Sequence, residues 1–167
     1  ISADNGSSWG SWSNFTGTTN FSGTVSFEEG NDNLLQVVAV DRAGNESVVN
    51  QQIVWVDTFN PELSITSPVS IPIDNGNGSV SIGILATDTA SGPKTVYAKA
   101  GNSNWGVDTV NYPEYSAAIV GGVATLNITN LTKLAAGNQK IYLRAVDNSG
   151  RYSVNISQTI LIDKAPA

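Results

Sequence analysis

The sequence predicts an all-β chain: two antiparallel β-sandwiches in tandem, the first incomplete at its N-terminal side. Three observations predict it. Apolar residues alternate with polar ones in short runs, the period of a strand with one buried face. Clusters of Gly, Asn, Asp and Pro interrupt these runs at short intervals, as turns between strands do. One stretch of twenty residues is written twice, so the alternation belongs to a repeated module.

The strands are clearest in the second half of the chain. PELSITSP (61–68) alternates, and SVSIGILATD (79–88) puts Val80, Ile82, Ile84 and Ala86 on one face. TVYAKAG (95–101), VATLNIT (123–129), QKIYLRAVD (139–147) and YSVNISQTILID (152–163) follow. Turn signals separate them: DNGNG at 74–78, SGP at 91–93, GG at 121–122 and AAGN at 135–138. No long helical period interrupts the series, which leaves a sandwich ahead of a barrel or β-helix.

The repeat sets the domain organisation. AVDRAGNESVVNQQIVWVDT (39–58) lies over AVDNSGRYSVNISQTILIDK (145–164) without a gap, at an offset of 106. Ala39, Val40, Asp41, Gly44, Ser47, Val48, Gln52 and Asp57 recur as Ala145, Val146, Asp147, Gly150, Ser153, Val154, Gln158 and Asp163. Further upstream ISADNGSSWG (1–10) resembles VYAKAGNSNWG (96–106), pairing Ala3 with Ala98, Gly6 with Gly101 and Trp9 with Trp105. Residues 1–57 are thus expected to be the C-terminal part of a first module with two N-terminal strands missing, and 58–167 a complete second one. Leu35, Val37 and Ala39 align with Ile141, Leu143 and Ala145, so the first copy should expose an apolar sheet face and an open edge.

In both copies the apolar run ends on an Asp. Its side chain accepts hydrogen bonds from backbone N–H groups two residues on, and the Gly that follows supplies the positive φ of a tight turn. The D-x-x-G loop joins the last two strands of each module.

Composition narrows the chemistry. Hydrophobic residues make up 40% of the 167, enough for a core, whereas charged residues are 13% and the net charge is −6. Lys and Arg nowhere cluster, so the electrostatic footprint of a nucleic-acid binder is missing. Without Cys or His, the chain lacks disulfides and the commonest general base and metal ligand. No apolar run reaches the ~18 residues of a membrane span. Met is absent, position 1 included, which fits a processed product or an excised fragment.

The phrases AVDRAGNES, VWVDTFNP and ATDTASG together resemble tandem bacterial immunoglobulin-like (Big-type) repeats of large cell-surface adhesins and extracellular enzymes. The resemblance covers nearly the whole chain. It implies tandem immunoglobulin-like sandwiches, an extracellular or cell-surface location, and a spacer role beside neighbouring modules or copies of itself. It also implies calcium at module junctions. The second copy departs from the pattern, with Asn148-Ser149-Gly150-Arg151 in place of A-G-N.

Calcium takes six to eight hard oxygens from carboxylates, carbonyls and Asn. In such a sandwich the loops carrying Asp88 and Asp147 lie at the end where the chain enters, near the linker Asp57. Asp41 plays the part of Asp147 toward a module upstream. Alternatively, each Asp only organises its own turn.

Eight N-x-S/T sequons occur, at Asn5, Asn14, Asn20, Asn45, Asn77, Asn127, Asn130 and Asn155. That is about twice what 18 Asn and 33 Ser plus Thr give by chance, and it suggests a glycoprotein surface. Trp12 and Tyr112 are candidate platforms for stacking on sugar rings, whereas Trp9 and Trp105 are expected in the cores. Adjacent Glu28 and Glu29 point to opposite faces of a strand, and no other spacing singles out a catalytic pair. The expectation is a non-enzymatic extracellular structural or adhesion module, a spacer or filament segment. Two alternatives stand beside it: a self-assembling surface filament or S-layer subunit completed by a neighbour's β-strand, and a module binding carbohydrate or a host protein.

Overall fold

The computed structural model describes residues 1–15, 22–70, 72–74, 78–107, 109 and 111–164. The chain divides into two units, Ile1–Thr58 and Phe59–Ala167. Sequons Asn20 and Asn77 lie outside the described residues.

The first unit holds one antiparallel pair, β1 (Gly30–Val37) and β2 (Asn50–Val56). The ladder runs from Asn33↔Val54 to Val37↔Asn50, with an irregularity toward Gly30. Ser2 bridges Leu34 through two backbone bonds, of 2.9 and 2.7 Å. Asn33 is buried because its side chain serves the 28–30 bend, donating to the carbonyls of Glu28 and Gly30. No hydrophobic side chain of this unit is buried among the described residues.

The second unit is an all-β sandwich. One sheet has the order β4 (Ile73–Asp74), β10 (Ile156–Ile162), β9 (Gly137–Asp147), β6 (Pro93–Ala100), β7 (Glu114–Ala118). The other has β3 (Glu62–Ser67), β5 (Val80–Thr87), β8 (Val123–Ile128). Among the described residues every strand pairing of this unit is antiparallel except β4 with β10. One 3-10 turn, Leu131–Lys133, is the only helical element among the described residues.

Alternation built this core. Val80, Ile82, Ile84 and Ala86 of β5 are all buried, as their shared face predicts. They meet Leu126 and Ile128 of β8, and Val96, Ala98, Ile141, Leu143, Ile160 and Ile162 from the opposite sheet. Strand β7 is an addition: EYSAA carries one β-former, but Tyr115 and Ala117 face the core while Lys99↔Glu114 pairs its start to β6. The last strand begins at Ile156 rather than near Tyr152. The Ser153 hydroxyl takes the Ala145 N–H at 2.8 Å, filling the ladder position a strand residue would hold.

Trp9 and Trp105 both depart from expectation. Trp9 is 41% exposed. Trp105 stands outside the core cluster and stacks on Arg144. The upstream match of 1–10 to 96–106 also fails as a structural equivalence, because Ser2 pairs with Leu34 while Lys140, the counterpart of Leu34, receives the Gly101 N–H. Ser2 therefore corresponds to Gly101, and Ala3 does not correspond to Ala98.

Candidate functional site

Three loops of the chain carry the same Asp-centred turn. In the first unit Asp41 Oδ1 accepts the N–H groups of Ala43 and Asn45 at 2.8 and 2.9 Å. Its Oδ2 accepts the Asn45 amide at 2.8 Å. Asp41 is exposed. The Asn45 side-chain bond, then the Asn45 N–H, hold its carboxyl below the usual 3.8.

In the second unit Asp147 repeats this geometry. Its Oδ1 accepts the Arg151 N–H at 2.9 Å and the Ser149 hydroxyl at 2.8 Å. Backbone bonds match as well: Asp41 N–H to Asn45 O at 3.0 Å, and Asp147 N–H to Arg151 O at 3.1 Å. Gly44 and Gly150 sit at φ 89° and 93°, where a side chain would be strained. Asp88 forms the third turn, its Oδ1 accepting from Gly92 N–H at 2.7 Å and Ala90 N–H at 3.2 Å.

The sandwich brings Asp88 and Asp147 together. Hydrogen bonds clamp their loops: Asn148 donates its side-chain amide to the carbonyls of Ser91 and Gly92, at 2.8 and 3.1 Å. The Asn148 N–H adds a bond to Gly92 O, and Ser149 N–H one to Ser91 Oγ. Carboxylate oxygens of Asp88 and Asp147 come within 4.8 Å of each other. Asp147 is 1% exposed. On each residue the other oxygen, Oδ2, is buried and receives no hydrogen bond.

Two buried carboxylate oxygens facing this way repel each other and have lost their hydration. A hard cation relieves both penalties, and an all-oxygen donor set without His or Cys suits calcium or magnesium ahead of zinc. The residues present fit the ion. Asp57, the third carboxylate expected there, is part-buried at the penultimate position of the first unit.

Other predicted positions fall elsewhere. Asn5, Asn14, Asn45, Asn127, Asn130 and Asn155 are all exposed. Asn45 is engaged by Asp41, Asn127 accepts from Ser81 Oγ at 2.7 Å, and Asn155 accepts from Trp105 Nε1 at 3.2 Å. Trp12 is 62% exposed and keeps an open ring. The Tyr112 ring is part-buried, packed against the core beside Gly101.

Sequence reasoning missed a cluster on the outer face of the larger sheet. Lys99 is fully buried although its strand position points away from the core. Its ammonium donates to Asn104 O at 2.6 Å, to Val107 O, and to Glu114 Oε1 at 3.1 Å. Burial pushes the Glu114 carboxyl up, but the Gly106 N–H and Lys99 outweigh it and leave it lowered from 4.5. This holds residues 104–107 on the sheet. The Arg144 guanidinium is stacked 4.2 Å from the rings of both Trp105 and Tyr152. A shallow cleft of about 270 Å³ lies beside it, lined by Lys94, Thr95, Tyr97, Asp147, Ser149 and Tyr152 among others. Nothing local announces this cluster, since Lys99 and Arg144 occupy ordinary solvent positions in an alternating strand.

No protein-family model and no curated protein matches the chain. Several solved structures are similar to it in part, three of them as follows. The fibronectin(III)-like modules of Clostridium thermocellum CbhA are 20% identical with a TM-score of 0.45, over 63% of this chain and 100% of that one. A bacterial immunoglobulin-like domain from the M. primoryensis ice-binding adhesin is 11% identical with a TM-score of 0.36, over 65% and 100%. A Ca2+-stabilized adhesin of an Antarctic bacterium is 17% identical with a TM-score of 0.32, over 80% of this chain and 32% of that one. The fold rests on the strand pairing and core described above. No helix among the described residues is long and apolar enough to cross a membrane.

Proposed function

We propose that the chain is an extracellular structural module, a spacer of a cell-surface protein that uses calcium to stiffen one end of its sandwich. One observation carries this reading: the paired Asp88 and Asp147, each with a buried Oδ2 that no hydrogen bond satisfies. Asp88 and Asp147 hold the ion, and carbonyls and water complete six to eight oxygens. Bound there, calcium neutralises the carboxylates and ties the 88–92 loop to the 147–151 loop. Asp41, in the same turn, has the equivalent part toward another module. The exposed sequons and acidic surface (net charge −6) suit an external location.

Spacer modules need a fold and a defined junction but no reaction. The polar groups of the cleft support that side of the reading, since Lys94, Asp147 and Ser149 lie there without a His or Cys to activate a nucleophile.

Thermal melts in excess chelator and in millimolar calcium test the ion. At 100 times its dissociation constant, calcium stabilises the folded state by about 2.7 kcal/mol. Asp88→Asn and Asp147→Asn each abolish the gain, and Asp41→Asn leaves it in place. Melts unchanged by calcium would leave Asp88 and Asp147 only their turn-organising bonds.

A further inference from the structure

We infer that β1 and β2 are the counterparts of β9 and β10 in a sandwich of the same kind, and that their open side accepts a segment equivalent to Phe59–Ala100 joined directly ahead of Ser2. The inference rests on pairing register and burial, and is independent of the calcium site.

From Asn33 to Val37 the ladder coincides with that of the second unit at the offset of 106, and it departs only at the irregular end, where Gly30 pairs with Val56 and Gly137 with Ile162. Val37↔Asn50 corresponds to Leu143↔Ile156, and Asn33↔Val54 to Gln139↔Ile160. The turn that follows coincides too. Ser47 Oγ takes the Ala39 N–H at 3.0 Å and donates to Val48 O, as Ser153 Oγ takes the Ala145 N–H at 2.8 Å and donates to Val154 O.

The other edge of β1 fixes the junction. In the second unit the chain runs along β6, from Pro93↔Asp147 to Ala100↔Ile141, and Gly101 N–H then bonds Lys140 O at 2.8 Å. Ser2 makes the corresponding bond to Leu34. A strand running into Ser2 therefore lies along Leu35–Val37 as β6 lies along Ile141–Leu143. Among the described residues nothing pairs there, and Ser2↔Leu34 is the last bridge on that edge.

Burial marks the missing layer. Ile141, Leu143, Ala145 and Ile160 are 0% exposed, and Ile141, Leu143 and Ile160 share one core cluster with Ile82 and Ile84 of β5 and Val96 and Ala98 of β6. Their counterparts fare otherwise: Val37 is 38% exposed, Ala39 is exposed, and Leu35 and Val54 are half-buried. The occupant thus needs β6 for the edge, and β5 with its neighbour β3 for the face. Phe59–Ala100 holds all three, one strand more than the repeat in the sequence suggests. The strand joins in cis, because Ser2 already runs in the direction and register that β6 would deliver.

The test is a chimera in which a copy of Phe59–Ala100 replaces Ile1 ahead of Ser2, measured in chelator by amide hydrogen exchange. Exchange at residues 35–39 is expected to slow on the order of a hundredfold relative to the parent. A control with one extra residue between Ala100 and Ser2 turns the donated strand's faces over and should lose that protection. Parent-like exchange in the chimera, or equal protection in the control, would overturn the inference. So would concentration-dependent protection of 35–39 in the parent chain, which would assign the surface to a second copy.

Discussion

Strands β1 and β2 and strands β9 and β10 share a register, an Asp turn and a serine that replaces a ladder bond, yet one pair lies open and the other at the centre of a core. Leu143 is sealed and Val37 is 38% exposed. Local hydrogen bonding follows local sequence, since turn and hairpin bonds reach only a few residues along the chain. Burial depends on what arrives from elsewhere, and here that is β5, β6 and β8. A repeat in sequence thus guarantees a repeat in hairpin geometry without guaranteeing one in stability.

The comparison breaks most visibly at its most unequal position. Leu143→Ala is expected to cost about 2–5 kcal/mol through lost contacts and a residual cavity, whereas Val37→Ala costs less than about 0.5 kcal/mol. Urea melts of the two variants measure both. Similar costs would mean that Val37 is already covered. Next comes Lys99→Met, which leaves Asn104 O and Val107 O without their donor and releases Glu114. About 2 kcal/mol should be lost, with Trp105 emission shifting as its loop detaches from Arg144.

The serines sharpen the same contrast at smaller scale. Ser153→Ala strands the N–H of fully buried Ala145 and should cost about 1 kcal/mol. Ser47→Ala exposes the Ala39 N–H to water and should cost less than about 0.5 kcal/mol.

Acid gives the smallest effect. The Asp41 carboxyl lies below 3.8 through its Asn45 bonds, and Asp4 falls to about 2 through the hydroxyls of Ser2 and Ser8 and the Ser8 N–H. A lowered folded pKa means these turns are held above the ordinary aspartate range and released as pH falls through the lowered value. Amide shifts of Ala43 and Asn45 should therefore titrate with a midpoint below 3.8, and that of Ser8 near 2. Midpoints at ordinary aspartate values would show that these bonds do not persist in solution.

Much of the second unit was legible beforehand because its strands alternate cleanly. Val80 to Ala86 declared their face, and placing loops at one end of a sandwich brought Asp88 to Asp147. Three features resisted. Strand β7 carries too few β-formers in EYSAA to stand out from a loop, and it exists because β6 offers it an edge. Lys99 and Arg144 look solvated, since their burial comes from a loop folding back over the outer face, which alternation cannot register. The likeness of residues 1–10 to 96–106 misled, because matching Gly and Trp letters in loops outweighed the backbone pairing that sets equivalence.

The parallel pairing of β4 with β10 has a mechanical consequence. Leu161 N–H bonds Pro72 O at 3.0 Å, and the ladder continues through Leu161↔Ile73 and Ile162↔Asp74. Because the strands run the same way, tension drawing Pro72 back toward its N-terminal side and Ile162 onward pulls them in opposite directions along their length. The bonds between them are then sheared together instead of peeled one at a time. A hairpin tugged at its open end yields bond by bond. This pairing shares the load, so a pull along the chain meets its stiffest resistance close to where the last strand leaves the sheet.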